Sequence, residues 1–177
     1  MDDLTKSPSN EPAAWWRLSP KEKRVALVLL AFAILGGSLA SRIAVVTSDS
    51  IDHRVFFLSK LSGPISKGDY VVFIKEGAQV FLQKSLKEHD RMIKKVGCVP
   101  GEELQVDEAL NYTCSGEPLG KALTTDSTGR SLTPFIFNGV VPAGHYFMVG
   151  THPRSYDSKY YGFINEHDFL YKTAPIW

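Results

Sequence analysis

The run RMIKKVGCVPGE, residues 91–102, reads as a short strand that stops at a turn. Alternation puts Met92, Lys94 and Val96 on one face of that strand, and Arg91, Ile93 and Lys95 on the other. Pro100-Gly101 ends it. The same grammar repeats outward in both directions. Runs rich in β-branched and aromatic residues occupy 70–74 (YVVFI), 103–106 (ELQV), 134–137 (PFIF) and 146–149 (YFMV). Turn signals stand between them at Lys67-Gly68-Asp69, Asn138-Gly139 and Ala143-Gly144. Only 79–91 (QVFLQKSLKEHDR) has a modest helical pattern, and the Gly, Ser and Thr-rich stretch 115–130 reads as a surface excursion. The sequence therefore predicts a mainly β domain over residues 47–177, without internal repeats.

Ahead of that domain lies a different kind of sequence. Residues 25–40, VALVLLAFAILGGSLA, hold no charge, and the apolar character resumes after Arg42 to reach Val46. A helix over 25–46 is about 33 Å long, enough to cross a bilayer, with Arg42 able to snorkel to the headgroups. Arg17, Lys21, Lys23 and Arg24 precede it, with Trp15 and Trp16 suited to the interface. Basic residues on that flank predict a cytoplasmic tail over 1–24, polar and proline-spaced, and export of the domain behind the helix. Two other readings stand beside this signal anchor. One is a buried core helix; the other is a cleaved signal peptide, since Ser38-Leu39-Ala40 spaces small residues suitably. In an exported domain Cys98 and Cys114 meet an oxidising space. A bridge between them contributes about 3 kcal/mol, the alternative being two buried thiols.

Composition narrows the function classes. The chain has 177 residues, 44% of them hydrophobic, with 20 basic against 19 acidic side chains for a net charge of +1. That balance supplies no overall field for nucleic acid. Two cysteines are too few for a four-thiolate zinc site, and the five histidines form no i,i+4 pair and no HExxH pattern. No glycine-rich phosphate loop is present. The sequence implies neither a metal nor a cofactor.

One lysine carries chemical interest. Lys94 shares its strand face with Met92 and Val96, whereas Lys95 has more solvated company. Apolar surroundings penalise only the charged amine, so burial lowers its pKa, by up to about 3–5 units when complete. An ordinary lysine is neutral in roughly one molecule in 10³ at pH 7, and a lowered pKa converts it into a general base. Alternation alone also permits a lysine that snorkels from an exposed edge.

Further sequence weighs on that choice. Lys94-Lys95-Val96-Gly97-Cys98-Val99-Pro100-Gly101-Glu102 resembles the lysine box of type I signal peptidases, where the catalytic lysine precedes a Pro-Gly-Asp/Glu turn at this spacing. Gly150-Thr-His-Pro-Arg-Ser155-Tyr-Asp157-Ser158-Lys159-Tyr160-Tyr161-Gly162 resembles the same family's C-terminal box. The strand 144–150 leading into that box, and the turn and strand 68–72, are similar too, and the blocks follow the family's order behind an N-terminal anchor. The family's Ser-Met-x-Pro is absent. The TraF-like conjugation branch carries instead a serine followed by Pro, Gly and Leu-Tyr. Ser50-Ile51-Asp52-His53-Arg54-Val55-Phe56 fits that spacing, with Asp52 and Arg54 in place of the proline and glycine.

The resemblance implies a signal-peptidase-like β-rich catalytic domain and a serine endopeptidase with a Ser–Lys dyad. Ser50 is its expected nucleophile and Lys94 its general base, with Ser48, Ser59 and Ser62 as other nucleophile candidates. Ser48 is expected to support the oxyanion, Ser155 to orient the amine, Asp157 to organise the box, and Lys159 to stand where the family has arginine. The implied substrate is an exported preprotein, most specifically a conjugative propilin, with ring closure of the cleaved pilin as a second outcome. The implied location is the bacterial inner membrane, with lipid around the anchor and the catalytic domain in the periplasm. A housekeeping leader peptidase and a non-catalytic envelope or secretion assembly protein of the same fold are the alternatives.

Overall fold

The computed structural model describes residues 19–75 and 91–177. The helical pattern expected over 79–91 lies outside the described residues except for Arg91, which is irregular. The chain divides into two compact units, one running through Ser41 and the other spanning Arg42–Trp177.

The first unit is helix α1, Pro20–Ala40. Its entry is a capping box: the Ser19 hydroxyl accepts from Glu22 N–H, and the Glu22 carboxylate accepts from Ser19 N–H. Pro20, whose missing N–H costs nothing in the first turn, follows the cap. No residue of α1 is buried, and by length and composition the helix is able to cross a membrane. It ends earlier than its apolar character. Ile43–Val45, expected to continue the helix, forms strand β1 instead and pairs antiparallel with β2 (Val55–Ser59). Cross-strand partners for Ile43 and Val45 override a helical continuation to which β-branched side chains add little.

The second unit is built on two antiparallel sheets. The remaining elements are β3 (Tyr70–Phe73), β4 (Met92–Cys98), β5 (Glu103–Val106), β6 (Asn111–Cys114), β7 (Glu117–Lys121), β8 (Gly139–Val140), β9 (His145–Val149), helix α2 (Ser158–Tyr161), β10 (Ile164–Asn165) and β11 (Phe169–Pro175). Seven strands run in the order β1-β2-β11-β3-β4-β9-β10, and four more in the order β7-β6-β5-β8. Strand β9 is buried on both faces from Tyr146 onward. Phe147 and Val149 enter one core with Cys98, Leu104, Val106 and Tyr112; Tyr146 and Met148 enter another with Val71, Phe73, Val96 and Phe169.

Two further sequence expectations need correction. Residues 134–137 form no strand: Phe135 N–H donates to the Lys159 carbonyl and the Phe135 carbonyl accepts from the Tyr112 hydroxyl. Phe135 and Phe137 still alternate inward, both packing on Phe163, but Pro134 has no N–H for a ladder. The stretch 115–130 is not wholly an excursion, because Glu117–Lys121 is β7. Ser115 and Gly116 both have positive φ, 46° and 84°, which makes them the two-residue hairpin turn that folds β7 onto β6.

Cys98 and Cys114 form a disulfide between β4 and β6, sixteen positions apart, with both residues fully buried. The bridge ties the strand of Lys94 to the smaller sheet. A Cys98→Ala/Cys114→Ala chain is expected to lose about 3 kcal/mol, a fall in thermal midpoint of about 6–12 °C in a melt against wild type.

Candidate active site

Strand β4 carries Lys94 into the interior. Lys94 lies opposite Val71 on β3, and Val96 on the same face lies opposite Met148 on β9. Lys94 is 4% exposed, while Lys95 on the other face is half-buried. Its ammonium donates to Ser155 Oγ at 2.9 Å. Burial drives the amine's pKa down to about 8; nearby Asp157 opposes that shift and nearby Lys159 adds to it. At such a pKa about one amine in ten is neutral at pH 7, against roughly one in 10³ for an ordinary lysine.

The C-terminal box is held on β9 by its own polar groups. Asp157 caps α2, and its Oδ1 accepts from Lys159 N–H at 3.1 Å. Its Oδ2 accepts from Gly150 N–H at 2.9 Å and from Lys159 Nζ at 2.7 Å. The Ser158 hydroxyl accepts from Met148 N–H at 2.8 Å. Asp157 and Lys159 are 0% and 3% exposed, so this pair is a buried one and not a surface salt bridge. Lysine offers no bidentate fork, but two backbone N–H groups take up the remaining carboxylate lone pairs. Removing either partner leaves an uncompensated buried charge, a loss of about 3–5 kcal/mol.

The serines follow β1. Val46 N–H donates to the Arg54 carbonyl, closing a loop that contains Ser48 and Ser50. Their hydroxyl oxygens lie 2.9 Å apart. The Ser50 carbonyl accepts from His152 N–H at 3.4 Å, and the His152 carbonyl accepts from Ser155 N–H at 2.9 Å. A run of hydrogen bonds thus leads from Ser48 through Ser50, His152 and Ser155 to Lys94. Among the described residues Lys94 donates to Ser155 and the Ser50 hydroxyl pairs with Ser48, with no hydrogen bond between Ser50 and Lys94 themselves. Ser59 lies apart on β2, donating to the Lys172 carbonyl at 2.8 Å, and Ser62 is exposed in the loop after that strand.

Gly150 is where the serine loop and the lysine's partner meet. A methyl group there would lie 1.9 Å from Ser155 Oγ and 2.4 Å from the Ser50 carbonyl oxygen. Only a residue without a side chain lets both approach. A Gly150→Ala chain must displace the Ser50 backbone, the Ser155 side chain or both, and is expected to be destabilised by about 1–3 kcal/mol in a melt against wild type.

A trio with ligand-like spacing, Cys98, Glu102 and Cys114, has both its sulfurs in the disulfide, which leaves no thiolate for a metal. Cys114 Sγ lies 3.0 Å from a Glu102 oxygen.

The family model described as signal peptidase, peptidase S26, matches residues 23–177. The chain belongs to the S26 signal peptidase family. This S26 peptidase is 28% identical over 163 residues to a conjugal transfer protein TraF of Agrobacterium fabrum strain C58, covering 85% of this chain and 90% of the relative. It is 26% identical to the TraF of Agrobacterium tumefaciens strain 15955, over 84% and 87% of the two chains. Among solved structures, a signal peptidase I from Enterococcus faecalis V583 aligns with 62% of this chain and 96% of its own, at 21% identity and a TM-score of 0.38.

Reading the sequence alone missed two features of the S26 peptidase. Gly150 stood inside the quoted box without a role; its place between a buried strand and the box was the available signal. The bond from the Tyr70 hydroxyl to Asp52 had no signal, because a contact across eighteen positions needs the fold.

Proposed function

We propose that the chain is a membrane-anchored serine endopeptidase that removes the leader peptide of an exported precursor through a Ser50–Lys94 dyad. The observation that carries this reading is the buried Lys94 amine, its pKa lowered to about 8 and its hydrogen bond given to a hydroxyl that orients it. Neutral Lys94 takes the Ser50 proton as Oγ attacks the scissile carbonyl, then gives it to the leaving amine. The resulting ester is opened by water that Lys94 deprotonates, which restores the serine. The Ser50 N–H and the Ser48 hydroxyl stabilise the oxyanion, each such donor contributing about 3–4 kcal/mol. Ser50 must turn from Ser48 toward Lys94 for the first step, a tightening of a kind that substrate binding commonly brings.

The setting follows from the helix. Ser50 comes ten residues after α1 ends at Ala40, so an anchored chain holds its nucleophile beside the bilayer. A precursor's cleavage site lies there as well, next to its own apolar segment, and sharing one membrane raises the effective concentration of each for the other. Lys21, Lys23 and Arg24 on the leading flank favour a cytoplasmic N-terminus and a periplasmic domain at a bacterial inner membrane. The relatives are conjugal transfer proteins by name, which supports an exported precursor used in conjugation, and a propilin is the precursor we propose. If the pilin's own amine replaces water at the ester, the product is a ring.

Mass spectrometry of candidate propilins, produced with and without this chain, tests the proposal. Cleavage only in its presence supports it, and a further loss of one water's mass marks ring closure. Unprocessed propilin in both cultures overturns the propilin assignment.

A further inference from the structure

The loop that carries Ser50 is closed on itself by the Arg54–Asp49 ion pair and is also held from outside, through the residues that follow the serine. Ile51, the next residue, is 4% exposed and packs with Phe56 and Tyr70, which are 0% and 8% exposed. Asp52 comes next, and its Oδ1 accepts from the Tyr70 hydroxyl at 2.8 Å. His53 then lies edge-on to the rings of Phe56 and Tyr70, at centroid distances of 6.1 and 5.9 Å. Three successive residues after the serine therefore converge on Tyr70.

Tyr70 is a rigid post. It opens β3, opposite Lys95 on β4, and its neighbour Val71 is opposite Lys94. Its carbonyl also accepts from the Thr173 hydroxyl on β11 at 3.1 Å. A side chain fixed one position from the partner of Lys94 thus reaches over to grip the chain two positions after Ser50. We infer that the Tyr70–Asp52 hydrogen bond is a latch that sets the backbone of the serine loop relative to the strand of Lys94.

The need for such a device lies in the loop's own sequence. No proline fixes a φ angle between Thr47 and Arg54. A charge-assisted hydrogen bond takes over that restraint from the side chain. A displacement of about 1 Å in a reacting group costs on the order of 10²-fold in rate, so looseness at Asp52 passes directly to Ser50. Asp52 and Tyr70 are positioning residues that act on the reaction through the Ser50 backbone.

The inference rests on the reading of Ser50 as nucleophile, and its test separates the two. Full-length wild type, Tyr70→Phe, Asp52→Ala, Asp52→Asn and the Tyr70→Phe/Asp52→Ala double variant are compared in detergent micelles. The probe is a quenched fluorogenic peptide with alanine at the −1 and −3 positions behind an apolar segment, with Ser50→Ala as the control. Each single removal of the bond is expected to lower kcat by about ten- to a hundredfold with KM within twofold of wild type. The double variant is expected to be no worse than the weaker single, and Asp52→Asn, whose amide oxygen still accepts, recovers most of the rate. Hydrogen exchange supplies a readout without turnover. Tyr70→Phe is expected to speed amide exchange over 47–53 at least tenfold while leaving β3 and β4 protected. Additive losses, wild-type kcat in Tyr70→Phe, or unchanged exchange over 47–53 overturn the latch. An active Ser50→Ala overturns the nucleophile assignment and with it the latch's catalytic purpose, while exchange, which needs no turnover, still reports whether the restraint exists.

Discussion

Ser50→Ala and Lys94→Ala are each expected to lower kcat/KM for a cleavable preprotein by at least about 10⁴-fold, and the double variant by no more than either alone. Members of a dyad act as a unit. Without the hydroxyl there is no ester to form, and without the amine a serine remains protonated at neutral pH, so the second loss removes nothing further. The measurement is accumulation of unprocessed precursor followed by gel shift, with single-turnover kinetics on purified protein. Normal processing in either variant sinks the dyad. Ser48→Ala serves as the contrast: it removes a donor near the oxyanion but leaves nucleophile and base, so a loss nearer 10²–10³-fold is expected.

Lys94→Met is expected to be inactive and yet more stable than wild type. The sign comes from linkage. The folded pKa of about 8 lies below the ordinary value of 10.5, so between those two pH values the unfolded chain binds more protons than the folded one. Stability therefore rises with pH across that window. Below about pH 8 both states hold the proton and the whole penalty of burying an ammonium is present. A shift from 10.5 to about 8 corresponds to about 3 kcal/mol at neutral pH. Methionine fills similar space without that penalty but leaves the Ser155 hydroxyl short of a donor, which returns about 1 kcal/mol. A gain of about 2 kcal/mol, or 4–8 °C in thermal midpoint, is expected at pH 7, shrinking as the pH is raised toward 10. The activity of wild type tracks the same proton. It climbs about tenfold per pH unit up to about pH 8 and levels above it, since only the neutral amine serves as base. A melt series across pH and a kcat/KM profile check both halves. A flat profile below pH 8, or a Lys94→Met chain that melts lower than wild type at pH 7, contradicts the buried cationic amine.

Much of this architecture was legible because it depends on local pattern. Alternation in β4 separates Lys94 from Lys95 without any knowledge of neighbouring strands, and the turn at Pro100-Gly101 marks where that strand stops. The elements that escaped depend on partners distant in sequence. Ile43–Val45 carries an apolar run that suits a helix as well as a strand, and only its pairing with Val55–Phe57 decides. Strand β11 is likewise defined by the two strands it joins, although Phe169-Leu-Tyr offers a β-rich start. In the site, the boxes announced Ser155, Asp157 and Lys159 as a group. Their depth did not show in the sequence: a string of polar residues looks solvated until the strand beneath it, β9, and the Gly150 just past its end are seen to donate backbone N–H groups to them.

The position of β11 has a consequence for biosynthesis. This strand comes after all the others in the chain, yet it lies between β2 and β3 in the larger sheet. The serine loop leads into β2, and Lys94 is reached from β3 through β4. A nascent polypeptide that has not yet released residues 169–175 thus carries Ser50 and Lys94 on half-sheets that no backbone ladder unites. Pairing of residues 169–175 with both neighbours is the step that joins the Ser50 side of the sheet to the Lys94 side.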